Sequence, residues 1–242
     1  MYEPRFYRDW TKDRDLVSFS VVEKETDLYI RANRNLRRKA LRAILKYRSS
    51  LEKYIEHHPG FLYALKPLSV EDDAPLIVKE MAEAGRKAGV GPMASVAGAI
   101  AELVGKELLP FSSEIIVENG GDIFLKIAKR RIVGVYAGNS PFSRRIGLEI
   151  HPEETPLGIC ASSGTVGHSL SFGKADACII LSPSAALADA VATATGNLIK
   201  EKEDIPKGIE FAKSIEGVKG VVIIKEERLG AWGEVKIIPG VD

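Results

Sequence analysis

The alternation of hydrophobic and polar residues divides the chain into strand-like and helix-like segments. Residues 16–22 and 27–33 are short β-prone runs joined by the polar turn EKET, which predicts an antiparallel pair of strands. Over about 35–58 the hydrophobic residues recur with a helical period, which predicts a long helix. We therefore expect residues 1–60 to form a β-hairpin followed by a helix.

The remaining segments predict a fold class. FLYALKPL (61–68) predicts a short strand, and helical patterns cover 92–109 and 183–196, the second with Ser182 as its predicted N-cap. Further predicted strands lie at 113–118, 122–128, 131–137, 145–150, 157–161 and 175–181. Because strands and helices come in clusters rather than in strict alternation, we expect an α+β fold with mixed, largely antiparallel sheets and packed helices, in a single domain spanning 1–242.

Composition and charge narrow the function classes. The 242 residues are 45% hydrophobic and 28% charged, as in ordinary globular proteins. The formal net charge of +1 gives no overall field that would attract DNA or RNA, so no nucleic-acid partner is expected. The basic residues from Arg31 to Arg48 have no acid among them, which is typical of a solvated helix face and also suits guidance of an anionic ligand.

Targeting signals and cysteine spacing add two further expectations. The N-terminal MYEPRFYRDW has no apolar signal core and no run reaches membrane-spanning length, which predicts a cytoplasmic protein without a membrane partner. Cys160 and Cys178 lie in apolar runs without the spacing of zinc ligands, so both are expected to be buried.

The stretch EIIVENGGDIFLKI (114–127) places Asn119, Gly120, Gly121 and Asp122 between two strand-like runs. Such a pair of glycines is typical of a tight hairpin turn, because type I′ turns need positive φ at both central residues. The amide, the carboxylate and the bare backbone also suit a polar ligand that approaches closely. Both interpretations stay open on the sequence alone.

The alanine-rich segment 183–197 places Asp189 and Thr193 four residues apart, on one face of a predicted helix, and Asn197 continues that face. A carboxylate and a hydroxyl projecting together from a buried helix suit a hard cation such as magnesium. The alternative is that Asp189 bonds Thr193 or faces water.

The segment CASSGTVGHSLSFGKADA (160–177) runs from a strand into a loop rich in glycine and hydroxyl groups. Ser163, Gly164 and Thr165 suit backbone cradling of a phosphate. Ser163 and His168 could also form a nucleophile and base, although the sequence has no GxSxG elbow.

In this order, four stretches resemble the ApbE superfamily, the magnesium-dependent FAD:protein FMN transferases. SVAGAIAELVGKELL is similar to the family's KGyavD helix, VENGGDI to its NxGGD turn, ASSGTVGHS to its TSG loop and LADAVATATGN to its ADALaTAl helix. The match covers about residues 89–200 and implies the superfamily's T-fold-related α+β architecture. The compact length and the N-terminal PRFYRDW are more similar to a short branch of the superfamily than to a typical transferase.

The resemblance implies roles for individual residues. Asp189 and Thr193 correspond to the family's metal ligands, and Asp189 and His168 are the candidate catalytic residues. The implied contacts to FAD are Asn119, Gly120, Gly121, Asp122, Ser163, Gly164 and Thr165. The implied reaction passes FMN from FAD to a threonine hydroxyl of an acceptor protein and releases AMP. The oligomeric state stays open, a homo-oligomer included.

Three features differ from the family pattern. Ala97 stands where the family has lysine, and Glu102 stands where it has aspartate. The family's HxxDPxTG segment and its secretion signal are missing, and His168 is the candidate substitute for the histidine. These differences leave two alternatives to transfer: a non-catalytic flavin- or nucleotide-binding module, and a small-molecule hydrolase that uses Ser163 or His168.

Overall fold

Eleven strands form two sheets in the computed structural model, which describes residues 15–165 and 172–240. In chain order they are β1 (Val17–Glu23), β2 (Thr26–Ala32), β3 (Ile115–Asn119), β4 (Asp122–Lys126), β5 (Arg131–Gly134), β6 (Ile146–Ile150), β7 (Leu157–Ser162), β8 (Ala177–Ser182), β9 (Gly220–Lys225), β10 (Arg228–Gly233) and β11 (Ile237–Pro239). The larger sheet has eight strands in the order β1-β2-β3-β4-β7-β8-β9-β10, and the smaller has the order β11-β6-β5. All neighbouring strands in the described residues are antiparallel.

Helices pack on one face of the larger sheet and the smaller sheet packs on the other. The helices are α1 (Arg37–His57), α2 (Gly60–Tyr63), α3 (Leu76–Ala88), α4 (Val96–Leu108), α5 (Ala185–Leu198) and α6 (Ile205–Lys213). Side chains along a strand alternate between faces, so Val221 and Ile223 of β9 join the helix-side core while Val222 and Ile224 join the sheet-side core. The α+β class expected from the sequence is confirmed.

Local predictions failed where tertiary packing decides the outcome. The segment 61–68 was expected to be a strand, but its beginning lies in the short helix α2, and Tyr63 and Leu65 are exposed. The N-cap of α5 is Ser184, whose hydroxyl oxygen accepts from the Leu187 N–H at 3.3 Å, and not Ser182. Cys160 and Cys178 are fully buried, as expected.

The helices also bear on the expectation about membranes. Among the described residues, no single helix is long and apolar enough to cross a membrane. The pair Leu76–Ala88 and Pro92–Phe111 passes the same test only when taken together, and its two parts are bent by 101°.

Candidate functional site

The first turns of α4 and α5 cross in direct contact. A Cβ atom on Gly98 of α4 would lie 2.3 Å from the carbonyl oxygen of Ala185 and 2.9 Å from Cβ of Asp189. A Cβ atom on Gly158 of β7 would lie 2.4 Å from Cα of Ala185, so α5 is pressed equally closely against the sheet. Only glycine permits such backbone approach. These two glycines therefore position Asp189 at the beginning of α4.

Each of these two helices supplies a carboxylate to the N-terminus of the other. Oδ2 of Asp189 accepts from the Gly98 N–H at 2.9 Å. Oε2 of Glu102 accepts from the Ala185 N–H at 2.7 Å and the Ala186 N–H at 3.3 Å. Both carboxylates accept from N–H groups that a helix leaves unpaired in its first turn. They also place a negative charge at the N-terminus of each helix, which is the positive end of the helix dipole.

The two carboxylates differ in what remains free. Glu102 is 3% exposed, its Oε2 also accepts from the Ser184 hydroxyl, and its Oε1 pairs with Lys106 at 2.7 Å. Asp189, by contrast, has no ion pair among the described residues. Glu102, which stands where the family has aspartate, is therefore a charge-paired structural cap, whereas Asp189 caps α4 without a positively charged partner in the described residues.

The β3–β4 hairpin approaches the same point. Gly120 and Gly121 have φ of 71° and 111°, and Asn119 pairs with Asp122 across the two-residue turn. The Asn119 side chain donates from Nδ2 to the Ala97 carbonyl at 3.1 Å. The structure therefore shows the hairpin turn, and it also shows Asn119 binding the beginning of α4.

Asp122 is the most unusual polar group at this junction. It is 7% exposed, and its Oδ1 is buried with no hydrogen-bond partner in the described residues. Burial and the nearby charge of Asp189 hold the pKa of Asp122 well above its usual range, while the Cys160 thiol and the Ala161 N–H oppose this shift. Burial likewise raises the pKa of Asp189 to about 7. Two neighbouring acids are thus costly to ionise and have no positively charged partner among residues 15–165 and 172–240.

Thr193 lies one turn beyond Asp189 on the same face of α5. Its side chain is partly exposed and makes no hydrogen bond within 15–165 and 172–240. Four residues further on, Oδ1 of Asn197 accepts from the Phe172 N–H at 2.8 Å. The polar face therefore extends from the beginning of α4 to the segment that follows the Ser-Gly loop.

Ser163, Gly164 and Thr165 lie at the other end of α5. The Gly164 N–H donates to the Ala175 carbonyl at 2.9 Å, and the Thr165 hydroxyl donates to Asp176 at 3.1 Å. The Ser163 hydroxyl oxygen accepts from the Thr165 N–H at 3.1 Å. These bonds hold the loop in shape beside the polar face. His168 lies outside the described residues.

The junction fits a small hard cation in part. Within the described ranges, no three His, Cys, Asp or Glu side chains form a group that could hold a metal ion. A cation bound here would use Asp189, the Thr193 hydroxyl and the unpartnered oxygen of Asp122, with water or ligand oxygens completing its shell. Magnesium commonly binds in this way, with one or two carboxylates and substrate phosphates.

The sequence predicted the side chains of the junction but not the backbone groups that bind them. Asn119, Asp122, Asp189 and Thr193 lie around one junction. The backbone of Ala97 and Gly98 is equally part of it. The alanine- and glycine-rich composition of α4 was the only signal for this close approach. Two surface cavities of about 710 and 380 Å³ lie elsewhere, and no predicted site residue lines either.

Comparison with solved structures identifies the class of protein that has this fold. The apo flavinyl transferase ApbE of Pseudomonas stutzeri aligns with a TM-score of 0.60 at 11% identity, over 90% of this chain and 94% of that chain. The ApbE protein of Thermotoga maritima aligns with a TM-score of 0.53 at 13% identity, over 93% and 97%. At these identities the likeness concerns the fold alone, which is that of the ApbE proteins.

Sequence comparison identifies the family within that class. The family model described as "AbpE bacteria" matches residues 8–224, and the chain belongs to this family. UPF0280 protein MJ1526 of Methanocaldococcus jannaschii is 43% identical over 232 residues, which are 93% of this chain and 92% of the relative. A UPF0280 protein of Methanosarcina acetivorans is 41% identical over 198 residues, or 81% and 78% of the two chains.

Proposed function

We propose that the protein binds FAD and magnesium at the junction of α4, α5 and the β3–β4 hairpin, and transfers FMN from FAD to a threonine hydroxyl of an acceptor protein. The observation that carries the proposal is the unpartnered buried oxygen of Asp122 beside Asp189. Two neighbouring acids without a counter-charge suit a divalent cation, which would make both ionised forms favourable. The flavin transferases that share the fold support the choice of ligand.

The reaction is a phosphoryl transfer. The hydroxyl oxygen of the acceptor attacks the flavin-side phosphorus, the pyrophosphate bridge breaks and AMP leaves, while the hydroxyl proton passes to a base. Magnesium, when bound, supplies neutralisation of pyrophosphate charge. Asp189 and His168 are the candidate bases, and Asp189 is the one whose position the structure describes.

The other residues of the junction would bind the cation and FAD and orient them. Asp189, Thr193 and Asp122 would hold the cation. Asn119 fixes the first turn of α4 through the Ala97 carbonyl, and Gly120 and Gly121 leave the backbone of the turn open to a ligand, since nothing lies within 4 Å of a Cβ on Gly121. Ser163, Gly164 and Thr165 would contact FAD from the far end of α5.

The test combines binding and turnover. Calorimetry should show FAD binding that requires magnesium, and a threonine-containing acceptor should gain a flavin while AMP is released. Asp189→Asn should abolish transfer, while the matched variant Glu149→Gln, which removes a carboxylate far from the junction, should transfer normally. Absence of both FAD binding and AMP would overturn the proposal.

A non-catalytic flavin-binding module is the second candidate. Ala97 in place of the family's lysine favours it, because that helix start offers backbone groups but no cationic side chain. This alternative is supported if FAD binds with magnesium but no AMP forms with any acceptor. The hydrolase alternative predicts loss of activity in His168→Ala and indifference to chelators.

A further inference from the structure

The loop that joins β5 to β6 encloses a surface cavity of about 380 Å³ that no predicted site residue lines. The loop, YAGNSPFSRR, spans residues 136–145. Its ends are joined because the Val135 N–H donates to the Ile146 carbonyl at 3.1 Å and the Arg144 N–H donates to the Val135 carbonyl at 3.0 Å. The cavity therefore belongs to a closed, hydrogen-bonded loop rather than to a loose segment.

Two serine side chains of the loop form hydrogen bonds that fix its conformation. Oγ of Ser143 accepts from the Ala137 N–H at 3.1 Å, and Ser140 donates its hydroxyl to the Glu226 carbonyl at 2.7 Å in the β9–β10 turn. The N–H groups of Gly138 and Asn139 have no acceptor among the described residues. Both residues line the cavity, so two adjacent backbone N–H groups without an acceptor belong to its wall.

The charged side chains that line the cavity are positive. Arg144 and Arg145 line the cavity, and none of the described residues that line it is acidic. Arg145 is exposed and makes no ion pair within the described part of the chain. The loop contacts one acidic residue through its backbone, because Ser140 donates to the carbonyl of Glu226. The carboxylate of Glu226 lies 3.4 Å from Nζ of Lys225. The charge of Arg145 is therefore not neutralised by an acid within the described residues.

The backbone at the arginine pair is strained. Arg144 has φ of 63°, a backbone conformation that residues other than glycine rarely adopt. It persists because the Arg144 N–H is held by Val135 and the Arg145 carbonyl accepts from the Gly240 N–H at 2.7 Å. This conformation keeps two consecutive arginines on the rim of one cavity, where a regular strand would point them to opposite faces.

We propose that this cavity is a binding site for the phosphate group of a small phosphorylated molecule. Guanidinium groups bind phosphate through paired, charge-assisted hydrogen bonds, and free backbone N–H groups complete the shell. The volume lies at the lower end of the range for ligand pockets, which suits a phosphate or diphosphate with a small attached group. The site shares no residue with the magnesium junction and does not depend on the proposed function.

The test uses inorganic pyrophosphate as the probe, by calorimetry on the whole protein in low salt with EDTA. We expect one site, binding at least about tenfold weaker in Arg145→Gln, and an intermediate loss in Arg145→Lys, which keeps the charge without the planar fork. Arg37→Gln is the matched control, since Arg37 is an exposed arginine at the start of α1, and it should bind as the unaltered protein does.

Four results would overturn the site. These are absence of pyrophosphate binding at millimolar concentration, equal binding by Arg145→Gln, equal weakening by Arg37→Gln, and equally tight binding of malonate, a dianion without phosphate. The variant Asp189→Asn distinguishes pyrophosphate binding at the loop from pyrophosphate binding at the proposed magnesium site. If that variant abolishes pyrophosphate binding in EDTA, the probe occupies the α4–α5 junction and the loop carries no site.

Discussion

Two regions of the protein hold carboxylates in opposite surroundings. At the start of β5, Nη2 of Arg131 donates to Oε2 of Glu114 at 2.8 Å, and Arg130 pairs with Glu149. Glu149 also contacts Lys236 and His151. At the α4–α5 junction, Asp122 and Asp189 form no ion pair with any described residue. The first region contains its own counter-charges, whereas the described residues supply none to the second.

The pKa values follow the same division. Lys236 foremost, with His151 and Arg130, lowers the pKa of Glu149 to about 2, whereas burial raises the pKa of Asp189 to about 7. Acids with partners built into the fold contribute to folding. Acids held without partners are costly to ionise, and such perturbed groups are concentrated at functional sites. The difference supports our proposal that the junction binds a cation, because none of the described residues supplies a positive charge there.

Breaking a built-in pair should have the largest effect on stability. In Glu114→Ala, Arg131, which is 7% exposed in the unaltered protein, loses its contact with Glu114, while its Nη1 keeps the contact with Oδ1 of Asp15 at 2.8 Å. We expect the free energy of unfolding to fall by about 3 kcal/mol, because a buried charge loses its most deeply buried hydrogen-bonded partner. Denaturant unfolding measures this loss.

Glu114→Gln is the control for that experiment. The amide keeps a hydrogen-bond acceptor for Arg131 at nearly unchanged volume, so the loss should be smaller than with alanine. If Glu114→Ala unfolds like the unaltered protein, the pair contributes nothing and the comparison between the two regions fails.

Magnesium should supply the counter-charge missing from the junction. At a concentration about ten times its Kd, a ligand that binds only the folded protein stabilises it by about 1.4 kcal/mol. For a chain of this size that raises Tm by about 4 °C. Asp189→Asn should lose the increase, while Glu149→Gln should keep it. An equal increase in both variants would place the ion elsewhere.

The sequence predicted those parts of the junction that depend on local spacing. The hairpin at Asn119 and Asp122 follows from two glycines between β-prone runs, and the shared face of Asp189 and Thr193 follows from helical periodicity. The partner of Asp189 could not be predicted in the same way, because the Gly98 N–H is 91 residues away in the chain. Which helices cross, and where, is decided by packing of the whole fold.

Removing an unpaired acid should have the opposite effect to removing a paired one. Asp122→Asn takes away a buried group that is costly to ionise, so without magnesium the protein should become more stable by about 1 kcal/mol at neutral pH. The same variant should respond less to magnesium. Denaturant unfolding with and without the ion measures both effects, and a loss of stability like that of Glu114→Ala would show that Asp122 is paired after all.

Some of the fold was missed because neighbours in space override local preference. The edge strand β10 has the sequence RLGAWG, with two glycines and no buried residue, so no periodic pattern predicts it. Its register is fixed by the antiparallel partner β9. The same limit applies to Arg144, because no spacing in the sequence indicates positive φ at an arginine.

The smallest effect concerns acid stability at the built-in cluster. The pKa of Glu149 falls from 4.5 to about 2 on folding. Below 4.5 the unfolded chain therefore binds a proton that the folded protein does not, and stability decreases as pH falls from about 4.5 to 2. Urea titrations at steps in this range should show a shallower decrease for Glu149→Gln than for the unaltered protein. Equal slopes would mean that the cations around Glu149 are too solvated to favour its ionised form, and the contrast with Asp189 would then rest on burial alone.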